Sequence, residues 1–417
     1  MVITTLAHHI DVAFLYEAWR RTRKDGASGV DGVTAEAYEA NLDENLKELH
    51  ERFKSGTYKA PPVRRTHIPK GEGKMRPLGI PTLEDKILQQ GVCMVLQAVY
   101  EPMFYDCSYG FRPGRHQHQA LDALRECLMK WGGGWVLDVD IKGYFDNIDH
   151  PMLRSILDQR VRDGVIRRAI DKWLKAGVME QGWVTHPEKG TPQGGVISPL
   201  LANLFLHEVV DTWFLETARK YLRGQGELFR FADDFIIVVQ EKGDAERVLK
   251  ALVKRLEKYG LQPHPEKTRL VSFCRPCRSN RRDLPRERRP GTFGFLGFMH
   301  YWGKSRKGRW VVKRQTDNKR LKRKLQEIKK WCRTNRHLKV KDQHLKLSLK
   351  LKGHYGYYGV TGNMRSVVKF DRGVLWNWFF WLRRRSQRRH LTWKGFLRKL
   401  STNPLPTPCL PLSVYRT

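Results

Sequence analysis

The sequence has few cysteines and no long apolar run. Its 417 residues contain 7 cysteines, an odd number that fits free thiols in a reducing compartment better than a disulfide framework. No segment approaches the ~18 consecutive apolar residues of a membrane span, which argues against membrane insertion. The first residues, MVITTLAHHIDVAF, lack the basic and apolar regions of a secretory signal peptide. We therefore expect a cytoplasmic protein without a membrane partner.

Acidic residues are also scarce relative to basic ones. The chain has 43 Asp and Glu against 78 Lys and Arg, a formal net charge of +35, which predicts a polyanionic partner. Residues 301–417 contain 32 Lys and Arg and only four acids, so this segment carries +28 of the charge. Its basic residues are interleaved with aromatic ones, as in WNWFFWLRRRSQRRH. This composition combines phosphate neutralisation with ring faces for packing or base stacking.

The segment DNKRLKRKLQEIKKWC predicts an amphipathic helix that begins near Asp317. Leu321, Leu325, Ile328 and Cys332 recur at helical spacing, and basic residues surround them. We expect one face of the helix to be buried and the other to contact phosphates. The candidates for those contacts are Lys319, Arg320, Arg323 and Lys324, followed further along the chain by Arg383, Arg384 and Arg385.

Two segments place acids beside apolar, strand-like runs. In WVLDVDIKGYFDNIDH, Asp138 and Asp140 alternate with apolar residues, and in ELFRFADDFIIVVQ, Asp233 and Asp234 lie between two strand-like runs. A carboxylate buried in a strand is costly unless it is paired or bound to a metal. Adjacent acids in one regular strand point to opposite faces, so a shared role requires a turn at Asp233 and Asp234. We then expect both to meet Asp140.

Three converging carboxylates in a protein that binds a polyanion indicate two Mg²⁺ ions, for which Mn²⁺ can substitute. Such ions lie ~3.5–4 Å apart, activate a 3′ hydroxyl and stabilise a leaving pyrophosphate. The alternative interpretation is that the Asp pair forms an ordinary hairpin turn. Asp138 is a weaker candidate for the same site, and Asp146 and Asp149 are better explained as caps of the following helix.

Two further segments have the composition of ligand-binding loops. In GTPQGGVISPLLANLFLH, Gly194 and Gly195 allow a close backbone approach, and Ser198 begins a buried helix. In HIPKGEGKMRPLGIP, Lys70 and Arg76 lie around two glycines, as in a hairpin that places cations along a triphosphate. The same pattern also occurs in loops that are only solvated.

The order of these motifs resembles the reverse transcriptase/maturase proteins encoded by group II introns. The resemblance covers roughly residues 25–415. The matching polymerase segments are GASGVDGVT, KMRPLGIPTLEDKILQQ, SYGFRPGRHQHQAL, DVDIKGYFDNIDH, GTPQGGVISPLLANLFLH, FADD, PEKTRLVSF and FGFLGF, and the matching thumb or maturase segments are HYWGKSRKGRWVVKRQT, LKGHYGYYGVTGN and PLPTPCLPLSVY.

The resemblance implies an α+β right-hand polymerase with fingers, an antiparallel palm sheet and an α-helical thumb. Residues 1–60 would form an N-terminal extension and the start of the fingers, residues 61–299 the fingers and palm, and residues 300–417 the thumb/maturase domain. The implied activity is RNA-directed DNA polymerisation, together with assistance to intron splicing and mobility. The implied partners are group II intron RNA, an RNA template, a DNA primer, deoxynucleoside triphosphates and target DNA, in a nucleoid-associated ribonucleoprotein.

By motif match, the resemblance also assigns the site residues. Asp140, Asp233 and Asp234 become metal ligands, and the Ile141 carbonyl helps. The residues matched to nucleotide binding are Lys70 and Arg76 for the phosphates, Gln193 beside the sugar, and Lys267 near the active site and primer.

Phe145 matches the aromatic steric gate that excludes a 2′ hydroxyl, and one residue of slippage would give this role to Tyr144. Arg112, in the segment SYGFRPGRH, joins the basic residues above as an RNA-binding candidate.

Some features depart from the usual family pattern. Phe231 precedes the Ala-Asp-Asp turn where Tyr is usual, and the Arg-rich linker at residues 274–290 is long. Cys274 and Cys277 form a single CxxC, which is a weak zinc signal. We expect no DNA endonuclease domain. Two other functions remain open: a non-catalytic RNA-binding splicing factor, and a reverse transcriptase recruited to phage defence or CRISPR spacer acquisition.

Overall fold

The structure is a computed structural model that describes residues 2–71, 74–180, 182–185, 189–191, 194–276, 290–385 and 391–412. The chain forms two compact units. Unit one comprises Met1–Cys127 and Gly134–Leu270, and unit two comprises Leu128–Gly133 and Val271–Thr417. Both units combine helices with β-sheet, which confirms the mixed α and β class. The units divide at residue 270, whereas the predicted domain boundary follows residue 299, and the predicted functional domains stay a prediction.

Unit one contains two four-stranded sheets and the helices that cover them. Its helices are α1 (Val12–Arg21), α2 (Ala35–Glu39), α3 (Leu42–Ser55), α4 (Leu83–Tyr100), α5 (Gln117–Trp131, whose last residues belong to unit two), α6 (His150–Asp158), α7 (Gly164–Lys175), α8 (Ser198–Leu206) and α9 (Lys242–Lys258). Its strands are β1 (Val63–Gly71), β2 (Lys74–Ile80), β3 (Trp135–Asp140), β4 (Val178–Glu180), β5 (Trp183–Thr185), β6 (Gly226–Phe231), β7 (Asp234–Val239) and β8 (Arg269–Ser272), which leads into unit two.

The first sheet has the strand order β2-β1-β4-β5, and the second has the order β6-β7-β3-β8. In the second sheet, β7 pairs antiparallel with both β6 and β3. Ile236, Ile237 and Val238 of β7 are fully buried. Because successive residues of a strand point to opposite faces, both faces of this strand are covered. The polar side chain of β7 is therefore confined to its first residue, Asp234.

Local capping explains where several helices begin. The Asp149 carboxylate accepts a hydrogen bond from the Met152 amide at 3.0 Å, so α6 begins as the sequence predicts. Asp146 lies instead in a short 3₁₀ turn, Tyr144–Asp146. Helix α8 continues into π-helical turns, His207–Thr217, in which hydrogen bonds join residues five apart.

Unit two joins a three-stranded antiparallel sheet to four helices in its described part. The strands are β9 (Phe293–Phe295), β10 (Phe298–Lys304) and β11 (Trp310–Thr316), and the helices are α10 (Asn318–Thr334), α11 (Val340–Tyr358), α12 (Met364–Arg383) and α13 (Trp393–Thr402).

The predicted basic helix is confirmed as α10. Asp317 caps it, and Leu321, Ile328 and Cys332 are buried on one face. The expected free thiols are also confirmed for Cys93, Cys107, Cys332 and Cys409. Within the same residues, none of the helices combines the length and apolar character needed to cross a membrane.

Candidate functional site

The Asp pair lies at the turn between β6 and β7, as the sequence predicts. Ala232 and Asp233 link the two strands, and Ala232 has a φ of 58°, in the left-handed region that residues with a Cβ seldom adopt. Asp234 lies opposite both Phe231 of β6 and Asp140 of β3. Side chains of directly opposed residues share one face of a sheet. We call Ala232 to Asp234 the acidic turn; it brings three carboxylates to one end of the sheet.

The donor groups at this end fit a hard divalent cation. The side chains of Asp140, Asp233 and Asp234 offer only carboxylate oxygens, the ligand type that Mg²⁺ prefers. All three residues are partly exposed. In the described part of the chain, no three His, Cys, Asp or Glu side chains are already arranged as a metal cluster. The three residues thus have the side-chain type that Mg²⁺ prefers, but within the described residues their carboxylates are not gathered into a metal-binding cluster.

A basic side chain borders the Asp140 carboxylate. Lys267 Nζ lies 2.7 Å from Asp140 Oδ2, and the His264 amide donates to the Asp140 carbonyl at 2.7 Å. On the same face of β3, Arg269 donates to Asp138 at 3.1 Å. Burial raises the pKa of Asp138 above its ordinary value, against the opposing effect of Arg269. The segment that contains Lys267 thus borders Asp140, and Asp138 is paired with Arg269.

The two candidates for the steric gate have different environments. Tyr144 is 3% exposed, and its hydroxyl donates to the Ala202 carbonyl of α8 at 2.5 Å. Phe145 is only partly buried. The tyrosine is therefore part of the core, and Phe145 is the more accessible of the two rings. Ile141, whose carbonyl group is the proposed metal ligand, is 3% exposed and forms an isolated β-bridge with Pro263.

The glycine-rich segment before α8 lies close to the Phe145 turn and to β2. The Thr191 amide donates to the Phe145 carbonyl at 2.8 Å. Gly194 has a φ of 118°, and a Cβ there would lie 2.4 Å from the Gly79 carbonyl oxygen, so only glycine permits this approach. Gln193, the residue predicted beside the sugar, lies outside the described residues.

A buried network of hydrogen bonds holds the glycine-rich segment where it enters α8. Gln89 Oε1 accepts hydrogen bonds from the Val196 amide at 2.8 Å and the Ile197 amide at 3.3 Å. Its amide nitrogen donates to Asp85, which also accepts from Trp173 at 2.7 Å. Burial raises the pKa of Asp85 to about 6, although these donors oppose the shift. Sequence analysis assigned no role to Asp85 or Gln89.

The predicted phosphate-binding hairpin is formed by β1 and β2. Lys70 is part of β1, but its side chain lies outside the described residues, and Arg76 of β2 is exposed. Beside the hairpin is a cavity of about 310 Å³. Arg65 and Lys189 supply the cationic side chains of its lining. Sequence analysis missed both, although Lys189 directly precedes the GTPQGG motif and lay within reach of the same argument.

Arg112 does not face solvent, contrary to its prediction as an RNA-binding residue. Its side chain is only 4% exposed and forms an ion pair of 2.8 Å with Glu101. It also donates to the Tyr105 carbonyl at 2.7 Å and the Ser108 carbonyl at 2.8 Å. These internal contacts occupy the guanidinium. Arg112 therefore stabilises its own loop and is no longer a candidate for phosphate binding.

The remaining basic candidates are exposed on unit two. Those on α10 are Lys319, Arg320, Arg323 and Lys324, and those at the end of α12 are Arg383, Arg384 and Arg385. Lys324 forms an ion pair of 2.7 Å with Glu327, and the Arg384 guanidinium lies 4.2 Å from the centre of the Phe380 ring. Cys274 is exposed, whereas Cys277 and residues 278–289 lie outside the described part.

Comparison with known proteins links this site to a family. Residues 68–300, more than half of the chain, match the family described as reverse transcriptase (RNA-dependent DNA polymerase). The chain is 40% identical to group II intron-encoded protein LtrA of Lactococcus lactis subsp. cremoris over 215 residues, 51% of this chain and 35% of LtrA. It is 35% identical to protein YkfC of Escherichia coli K12 over 242 residues, 51% of this chain and 63% of YkfC.

A third relative is also named as an intron protein. The putative COX1/OXI3 intron 1 protein of Saccharomyces cerevisiae is 29% identical over 224 residues, 54% of this chain and 26% of that protein. The chain thus spans about a third of LtrA and less than two thirds of YkfC. On the family match, the chain belongs to the reverse transcriptase (RNA-dependent DNA polymerase) family, and it is similar to the group II intron-encoded protein LtrA.

Proposed function

We propose that this chain copies RNA into DNA by nucleotidyl transfer. The observation that carries the proposal is the register of the second sheet, in which Asp140 lies opposite Asp234 with Asp233 in the adjoining turn. Membership of the reverse transcriptase family supplies the reaction class. The fingers, palm and thumb arrangement is part of the proposal, with the second sheet as the palm.

Asp140, Asp233 and Asp234, with the Ile141 carbonyl, would hold two Mg²⁺ ions. When bound, such ions favour ionisation of the attacking 3′ hydroxyl and stabilise the charge of the leaving pyrophosphate. Lys267 adds a positive charge beside Asp140, within reach of an anionic nucleotide. The chain itself therefore supplies the metal ligands and one neighbouring cation.

The incoming deoxynucleoside triphosphate would lie between the acids and the β1–β2 hairpin. Lys70 and Arg76 are proposed to contact its phosphates, joined by Arg65 and Lys189 at the neighbouring cavity. Gln193 would lie beside the sugar. Phe145, as the more accessible ring, would exclude a 2′ hydroxyl by occupying the space that this group needs.

Unit two is proposed to provide the main binding surface for structured RNA. Its exposed cations on α10 and at the end of α12 suit phosphate contacts, which dominate the affinity of proteins for nucleic acids. The relative LtrA is named as a group II intron-encoded protein. We accordingly propose intron RNA as the bound partner, with assistance to splicing and mobility at target DNA as the outcome, in a cytoplasmic ribonucleoprotein.

Primer extension on an RNA template with a DNA primer, deoxynucleotides and Mg²⁺ tests the polymerase proposal. Asp233→Asn should lower turnover by orders of magnitude, because it removes a metal ligand, while RNA affinity stays near the parental value. Glu246→Gln is a matched control, since it neutralises an acid on the surface of α9.

Equal extension rates for the Asp233 variant and the parent would contradict the assignment of the acids. A parent that binds RNA without extending primers would instead support the non-catalytic splicing factor. The DNA that flanks the gene can then be searched for a sequence that folds as a catalytic intron RNA. Its presence would support the intron role over phage defence and CRISPR spacer acquisition.

A further inference from the structure

A fully buried ion pair lies beneath the acidic turn. Arg230 of β6 and Asp211 of the π-helical segment are both 0% exposed, and Arg230 Nε lies 2.7 Å from Asp211 Oδ1. Burial alone would raise the pKa of Asp211, but the Arg230 charge and its hydrogen bonds hold it below the ordinary value. Both groups are therefore charged. Buried ion pairs contribute little net stability, so the presence of this one calls for another explanation.

The Arg230 side chain also contacts the backbone of the acidic turn. Its Nη1 donates to the Ala232 carbonyl at 3.1 Å and to Asn203 Oδ1 at 2.9 Å. Ala232 is the residue with the left-handed φ, and Asp233 follows it directly. A strained backbone persists only where its surroundings determine it. The guanidinium fork makes four hydrogen bonds to these three partners, one more than the three donors of a lysine ammonium allow.

The opposite side of the turn is closed by a backbone segment. The Tyr109 amide donates to the Arg230 carbonyl at 2.9 Å, and the Arg230 amide donates to the Cys107 carbonyl at 2.8 Å. A Cβ on Gly110 would lie 2.3 Å from the Ala232 nitrogen. The Asn203 side chain donates to the Gly110 carbonyl at 2.5 Å. The turn is thus held between α8 and residues 107–110.

Helix α8 connects this arrangement to the Phe145 turn. Asn203 contacts the Arg230 guanidinium, and its neighbour Ala202 accepts the Tyr144 hydroxyl. One turn of α8 therefore contacts the supports of both the acids and the proposed steric gate. None of the roles assigned above uses Arg230, Asp211 or Asn203.

We propose that Arg230, oriented by Asp211 and Asn203, is a positioning residue that fixes the Ala232 carbonyl and thereby the place of Asp233 relative to Asp140 and Asp234. This inference rests on the proposed function, because its catalytic consequence is expressed in nucleotidyl transfer. Arg230 does not touch substrate in this role. Its effect on the backbone of the turn is measurable without catalysis.

Two variants of the full-length chain test the proposal. Arg230→Lys keeps a positive charge beside Asp211 but loses the fork. The double change Arg230→Met with Asp211→Leu removes both charges together, so that neither charge is left buried without its counter-ion. Leu228→Ala is the matched control, because Leu228 is buried in the same strand, 1% exposed, and its truncation destabilises β6 without removing a contact to the turn.

We expect both Arg230 variants to lower kcat of primer extension at least tenfold and to raise the Mg²⁺ concentration for half-maximal rate, with RNA affinity near the parental value. Hydrogen exchange of the peptide that spans residues 229–235 should become faster. The rise in Tm that Mg²⁺ produces in the parent should shrink in the variants. Leu228→Ala should lower Tm but leave the half-maximal Mg²⁺ concentration unchanged.

Parental values of kcat, Mg²⁺ dependence and hydrogen exchange in both Arg230 variants would overturn the proposal. The same would follow if Leu228→Ala reproduced every change at a similar loss of Tm, since the effect would then be general destabilisation. If the parent itself did not extend primers, the proposed function would fail separately. In that case, faster exchange confined to residues 229–235 would support the positioning role, and unchanged exchange would refute it.

Discussion

Unit one buries several charged side chains, whereas the basic residues of α10 and the end of α12 in unit two are exposed. In unit one, Arg230 and Asp211 are fully buried together, and Arg112 is held by Glu101. Each of these charges orients a backbone carbonyl or a loop. The cations of α10 and of the end of α12 lie at the surface, where their contacts include the ion pair of Lys324 with Glu327 and the packing of Arg384 on Phe380. Burial thus distinguishes the charges that we propose to fix local geometry from the exposed charges that we propose to bind phosphates.

The largest effect that tests this comparison concerns the salt dependence of RNA binding. Changing Lys319, Arg320, Arg323 and Lys324 to Gln should flatten the slope of log Kd against log salt, by roughly 0.7–0.9 for each phosphate that is no longer neutralised. Primer extension at low salt should largely survive because the acids of unit one are untouched. Filter binding over a series of salt concentrations measures the slope.

The matched control is the change of Lys242, Lys250, Lys254 and Lys258 to Gln, on the exposed surface of α9 in unit one. We expect it to leave the slope almost unchanged. Equal slopes for the control and the α10 variant would show that α10 is a solvated face, and the arginines at the end of α12 would be tested next.

A smaller effect is expected at the proposed steric gate in unit one. Phe145→Ala should reduce the preference for deoxynucleotides over ribonucleotides by about 10- to 100-fold, because it opens space near the sugar C2′. Single-nucleotide incorporation kinetics with both substrates measure the ratio of kcat/KM. Tyr144→Ala, which removes a buried ring together with the hydroxyl bound to Ala202, should lower stability and reduce the preference less than Phe145→Ala does. If only the Tyr144 variant lost the preference for deoxynucleotides, the steric gate would be Tyr144 and not Phe145.

The smallest effect contrasts how the two units respond to acid. In unit two, burial lowers the pKa of His300 to about 3 and that of His354 to about 4. The unfolded histidines take up protons near pH 6.5, so the stability of unit two should fall as the pH drops from about 7 toward 4. Asp85 of unit one has its pKa raised to about 6, so its contribution should grow as the pH falls through 6.

His300→Phe isolates this effect because the imidazole stacks on Phe293 with ring centres 4.7 Å apart and is fully buried. The variant should lose less Tm than the parent between about pH 7.5 and pH 5.5, by a few degrees at most. Thermal melts of the full chain at the two pH values measure the difference. An identical loss of Tm in both proteins would show that His300 takes up protons equally in the folded and unfolded states.

Several elements could be predicted from the sequence because their signals are local. The turn at Asp233 and Asp234 could be predicted because the two acids interrupt the strand pattern between two apolar runs. Helix α10 could be predicted from apolar residues at helical spacing. Asp149 could be recognised as a cap from its place before an apolar helix. In each case, the residues that decide the structure lie within a few positions of one another.

Other features were missed or misjudged because they depend on distant residues. Arg112 was expected to bind RNA, since sequence shows its charge but not its burial against Glu101. Arg230 was overlooked, although a charge inside an apolar strand was a visible signal. Its partner Asp211 lies 19 residues away, in a segment whose π-helical turns cannot be recognised from periodicity.

The sequence by itself identified the candidate metal-binding acids, the cationic C-terminal region and the order of motifs that resembles one family. Composition and local patterning carry this information. Only the tertiary structure decided that Asp140 lies opposite Asp234, that Tyr144 belongs to the core, and that a buried arginine lies beneath the acidic turn. These facts depend on strand register and on contacts between residues far apart in the chain. Side-chain type alone does not specify them, because burial and partner choice are set only when the elements pack together.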